Sequence, residues 1–137
     1  MEPADIALLK LAYDWMEKHY AEYLNKDSGP AWVLEDETGP LCAFGAVFLW
    51  HGVAEVWFNL IRKDKTFQII RVVRKYLKDQ MRAFNTRRVH ATVRADFPEG
   101  IRFLQGLGFT NETPDGMEAY NPDGHKAYLF SKVQTWN

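Results

Sequence analysis

Apolar positions in residues 4–24 recur at steps of three and four: Leu9, Tyr13, Met16, Tyr20 and Tyr23, with Leu8, Ala12 and Trp15 widening the stripe. This spacing predicts a first helix. Pro3 or Asp5 can start it, and Asn25-Lys26-Asp27-Ser28-Gly29-Pro30 stops it. Three strands follow: 31–35, then 41–50 after the turn Glu37-Thr38-Gly39-Pro40, then 53–61 after the tight turn His51-Gly52. The second is almost wholly apolar, so both its faces should be covered. Residues 65–84 return to the helical step through Ile70, Val73, Leu77, Met81 and Phe84, with Asp64 as the predicted N-cap. Val89, Ala91 and Val93 alternate with His90 and Thr92, which predicts a strand over 88–94. A short helix from Pro98 to Leu107 closes at Gly108. Asn121-Pro122-Asp123-Gly124 turns the chain between strands at Met117–Tyr120 and Lys126–Val133. A meander followed by β-α-β requires a mixed sheet with helices on its faces.

At 137 residues the chain fits a single domain spanning 1–137. With 47% hydrophobic and 15% aromatic residues it can build a core, which argues against disorder. No run of about 18 apolar residues exists, so no membrane-spanning helix is expected. The acidic start Met1-Glu2-Pro3-Ala4-Asp5 does not read as a secretion signal. The single Cys42, in an apolar stretch, reads as a buried, inert thiol. A cytoplasmic location is the expectation. The net charge of −1 hides an asymmetry: residues 1–61 carry three basic and ten acidic side chains, 62–94 eleven and two, and 95–137 three and six. The middle segment could dock an anionic partner or fold against the acidic ones.

This element order resembles the GNAT superfamily of N-acyltransferases. The most specific local match is Gly100-Ile101-Arg102-Phe103-Leu104-Gln105-Gly106-Leu107-Gly108-Phe109, similar to the family's late helix ending in a Gly-Phe pair. The resemblance covers roughly 31–133 and implies an α/β, GNAT-like fold: a mixed, mainly antiparallel sheet flanked by helices. The usual first strand has no clear counterpart in the sequence. Trp57-Phe58, the very basic helix and Ile101-Arg102-Phe103-Leu104 are also similar to small GNAT-like proteins of short-tailed phages and prophages, including internal virion proteins. That implies a possible virion-associated role.

The resemblance implies an acetyl-CoA site, and the chain departs from it. The family's pyrophosphate loop (Gln or Arg, two variable residues, Gly, one variable residue, Gly or Ala) aligns with Arg62-Lys63-Asp64-Lys65-Thr66-Phe67. Such a loop works because bare backbone N–H groups at a helix N-terminus hold an anion. Here Lys65 and Phe67 replace both small residues, and 53–99 contains no glycine. Arg62, Lys63, Lys65 and Thr66 are the candidate cofactor contacts, with the cations acting as point charges. The family's general-acid Tyr is Leu104. Its general base often lies on the third strand, where Glu55, Trp57, Asn59 and Ile61 share a face. Glu55 and Asn59 are thus the candidate catalytic residues.

Arg71, Arg74, Lys75, Lys78 and Arg82 fall mainly on one face of the long helix and could meet an anionic partner or track nucleic acid. No motif supports the latter, and stacking aromatics are not interleaved. His19, His51, His90 and His125 are scattered, so no metal site is expected. Three readings follow: an acyl-CoA-dependent N-acyltransferase or weakened relative acting on an amine, a non-catalytic GNAT-fold interaction protein, and a nucleic-acid-binding module using 62–94.

Overall fold

The computed structural model describes residues 30–134 and the backbone of Leu8–Leu11. Chain order is β1 (Leu8–Leu11), β2 (Ala31–Asp36), β3 (Gly39–Trp50), β4 (Val53–Leu60), a 3-10 turn (Lys63–Lys65), α1 (Thr66–Ala83), β5 (Arg88–Arg94), α2 (Pro98–Gly106), β6 (Thr110–Asn111) and β7 (Ala127–Val133). The strands form one seven-stranded sheet in the order β1-β2-β3-β4-β5-β7-β6. Of its pairings, only β4–β5 is parallel.

The meander, the long helix and the β-α-β unit therefore stand where hydrophobic periodicity put them. Three expectations change. Leu8–Leu11 lies in the segment read as a helix, yet it is a strand, with Leu9 opposite Leu34 and Leu11 opposite Trp32. Its backbone groups pair with the open edge of β2, a tertiary contact that outweighs a helical apolar stripe. The rest of 4–24 lies outside the described residues. Asp64 is not the N-cap of α1: that position is Lys65, without a side-chain cap, because Arg62 holds the Asp64 carboxylate. Met117–Tyr120 is not a strand, since only Met117 bridges Ala127, and β7 pairs instead with β6.

Register sorts the side chains into two faces. Trp32, Leu34, Cys42, Phe44, Ala54, Val56, Phe58, Val89, Ala91 and Phe130 face the helices. Against them α1 buries Ile69, Val73, Leu77 and Met81, and α2 buries Phe103 and Leu104. The opposite face buries Ala31, Val33, Ala43 and Val53 and also carries Glu55, Trp57, Asn59 and His90. This explains why β3 lacks polar alternation: it is covered on both sides for most of its length. Only its tip breaks out, where Phe48, Leu49 and Trp50 are exposed at an irregularity in the β3–β4 register.

Candidate functional site

Parallel strands β4 and β5 share only three rungs: Val53 with Arg88, Ala54 with Val89, and Glu55 with His90. Beyond them β4 continues to Leu60 held by β3, and β5 continues to Arg94 held by β7. The two strands part into a wedge whose walls are each fixed by a partner on the far side. Beyond Glu55, the β5-facing edge of β4 has no strand partner among the described residues. An extended ligand can use such an edge for backbone hydrogen bonds. On the helix side, Phe58 closes the wedge edge-on against Phe103 (5.5 Å between centroids) and Phe109 (6.3 Å).

Glu55, Trp57 and Asn59 line the other side, as period 2 requires. The Trp57 indole lies over Gly45, where a Cβ would fall 2.6 Å from the ring. Glu55 and Asn59 are both partly exposed. His90, not singled out by sequence, stands beside Glu55 at the last rung before the strands separate. Its Nδ1 is buried and makes no hydrogen bond among the described residues. Alternation could have placed His90 opposite Val89 and Ala91; the strand pairing that makes it Glu55's neighbour is long-range. Nearby, Arg88 grips Glu112 with its two terminal guanidinium nitrogens, Nη1 and Nη2. That bond, helped by Ser131 and the charge of His90, holds Glu112 down at about 2.

At the mouth of the wedge lie the predicted cofactor contacts, and their own neighbours hold them. Arg62 donates twice to Asp64 (2.9 and 2.8 Å) and once to Thr38 Oγ1 (3.1 Å). Lys65 donates to Asp36 at 2.7 Å, and both side chains are largely shielded from solvent. That bond, with those from Thr38, holds the Asp36 carboxyl well below the usual carboxylate range. The Lys63 ammonium sits 5.9 Å from the Phe97 ring centroid. Thr66 Oγ1 donates to the Lys63 carbonyl at 2.6 Å. The backbone is also engaged. The N–H groups of Ile61 and Arg62 donate to Leu41 O, that of Lys65 to Arg62 O, and that of Thr66 to Lys63 O. Phe67, where the family's loop has a small residue, is 76% exposed. Arg62, Lys63 and Lys65, three cations at a helix end that is itself positive, are thus offset by Asp36, Asp64 and an aromatic face.

Leu104, at the family's general-acid position, is buried in the core. Arg71, Arg74, Lys75, Lys78 and Arg82 are all exposed on α1, and Lys75 pairs with Asp79 at 2.9 Å. Among the described residues no group of three His, Cys, Asp or Glu side chains could hold a metal, and no helix is long and apolar enough to cross a membrane.

No protein-family model and no curated protein sequence matches the chain. Solved structures do match in fold. Ard1 from Thermoplasma volcanium superposes with a TM-score of 0.72 at 13% identity, covering 96% of this chain and 99% of that one. Spermidine N-acetyltransferase from Vibrio cholerae, in complex with CoA and spermine, superposes with a TM-score of 0.67 at 15% identity, covering 91% and 77%. At such identities the likeness concerns the fold: a GNAT-type mixed sheet flanked by helices.

Proposed function

We propose that this chain is a GNAT-fold protein that keeps the acyltransferase scaffold and uses it as a binding or assembly component, in the manner of the small virion proteins of short-tailed phages that it resembles. One observation carries this reading. The segment that should cradle a pyrophosphate is closed by its own contacts: Arg62 on Asp64, Lys65 on Asp36, and four backbone N–H groups turned inward. An incoming pyrophosphate would have to break these pairs, without glycine to let it reach the backbone and with Phe67 in its path. The replacement of a proton-donating Tyr by the buried Leu104 agrees with this. The partner of such a component would be anionic and would meet α1 through Arg71, Arg74, Lys75, Lys78 and Arg82.

A second reading, an acyl-CoA-dependent N-acyltransferase, is favoured by the wedge itself. The β4 edge beyond Glu55, which no described strand covers, suits the pantetheine arm, and Glu55 could take a proton from an amine. In this reading Arg62, Lys63, Lys65 and Thr66 would hold the phosphates after exchanging their present partners, and Asn59 would orient the acceptor. The amine attacks the thioester carbon, the thiolate leaves, and the proton passes to Glu55 or water.

Isothermal titration with acetyl-CoA and CoA separates the two. Neither heat nor thermal shift at millimolar ligand is the expected result. A micromolar dissociation constant would overturn the first reading and support the second. In that event Glu55→Gln should slow amine acetylation with little change in CoA affinity.

A further inference from the structure

We propose that the outer face of α1, together with Lys132 of β7, binds single-stranded nucleic acid through its phosphates. Phe67, Arg71, Arg74, Lys78 and Arg82 follow one another at i, i+4, i+7, i+11 and i+15, so they form one ridge along the helix. All five are exposed. The cations recur about every 5 Å along the axis, over roughly 16 Å from Arg71 to Arg82.

Midway, the ridge meets a built feature. Arg74 Nη1 reaches the Gly106 carbonyl and Lys132 Nζ the Leu107 carbonyl, each at 3.4 Å. Both cations therefore gather at the C-terminus of α2, whose exposed carbonyls attract positive charge. Gly108 follows with φ +93°, and a Cβ there would lie 3.6 Å from both Arg74 Nη2 and Lys132 Nζ. The two cationic heads thus flank one point of the backbone, where the positive φ favours glycine. No ion pair to a carboxylate is made by Arg71, Arg74, Lys78 or Lys132 among the described residues. Burial pushes the Lys132 ammonium below its usual range, and the charges of Arg74 and Lys78 add to that. A phosphate between them would relieve the repulsion that the protein leaves standing.

The cations alone would serve an acidic protein segment equally well. Phe67 favours nucleic acid. It is the most exposed large hydrophobic side chain described, it sits one turn before Arg71, and it presents a flat ring to an unpaired base at the end of a phosphate track. A duplex, with its bases stacked inside, would make no use of that ring.

The test is fluorescence anisotropy of a labelled twelve-nucleotide oligothymidylate with the full chain across a salt series. Binding should weaken with salt, with a log–log slope of about −2 to −3 if three or four phosphates are neutralised at roughly −0.7 each. Arg74→Gln should flatten the slope by about 0.7, and Lys132→Gln likewise. Phe67→Ala should leave the slope and weaken binding by about 5- to 100-fold. Lys126→Gln, which removes an exposed charge elsewhere, should change neither. If Lys132→Gln fails to fold, the exposed positions of Arg71, Arg74 and Lys78 carry the same test. Absence of saturable binding at about 50 mM salt, a salt-independent affinity, or wild-type binding by Arg74→Gln would overturn the proposal. So would displacement of the oligonucleotide by polyglutamate of equal charge at equal concentration, which would make the ridge a docking face for acidic protein.

Discussion

The ion pair between Arg88 and Glu112 ties β5 to the residue just after β6 and should be visible in the pH dependence of folding. Glu112 is held at about 2, against an ordinary 4.5, first by the Arg88 guanidinium and then by Ser131 and His90. Taken whole, that difference corresponds to roughly 3 kcal/mol. The pair is partly open, with Arg88 28% and Glu112 37% exposed, so solvent screening reduces the figure to about 1 kcal/mol. A depressed carboxylate stabilises the folded state at pH values above its unfolded pKa, and the contribution is lost as pH falls through the folded one. Wild type should therefore exceed Glu112→Gln by about 1 kcal/mol in urea denaturation near pH 6, and the gap should close between about pH 4.5 and pH 2. Parallel curves for the two proteins over that range would refute the reasoning. So would a gap that widens in acid.

Further outcomes follow from packing and burial. Cys42 is buried and its thiol is pushed up to about 12, so it should resist thiol reagents at pH 8 and react only in denaturant; immediate labelling of the folded protein would contradict its placement. Gly45→Ala puts a methyl group 2.6 Å from the Trp57 ring and should cost about 1–3 kcal/mol, read as a fall of about 4 °C in Tm per kcal/mol. Phe103→Ala empties the site where that ring meets Phe58 and should cost about 3–5 kcal/mol in chemical denaturation, without altering the ridge on α1.

Most of the architecture described here was legible as periodicity. Val73, Leu77 and Met81 mark the buried side of α1 by spacing alone, although Ile69 rather than Ile70 completes that side and Phe84 is exposed, and Val89 and Ala91 mark the buried side of β5. Tight turns at Gly52 and Gly124, both with positive φ, were legible because glycine adopts that conformation without strain. The Leu8–Leu11 strand was not, because its pairing with β2 is a long-range backbone interaction that leaves no local pattern. Nor was β6, whose two residues are too few to show alternation.

Less of the candidate site was legible. Sequence placed Glu55 and Asn59 on one face, found the glycine-free loop before α1, and identified the charge concentrated in 62–94, since these are properties of residue type and spacing. Tertiary structure decided what those charges do. Asp36 is 29 positions from Lys65, and only the β2–β3 turn brings it there. His90 becomes Glu55's neighbour only where β4 and β5 meet in parallel. Lys132 joins Arg74 only because β7 lies beside the end of α2. A chain fixes its local pattern through neighbours three or four residues apart, whereas pairing or isolation of a charge depends on which distant side chain the fold delivers to it.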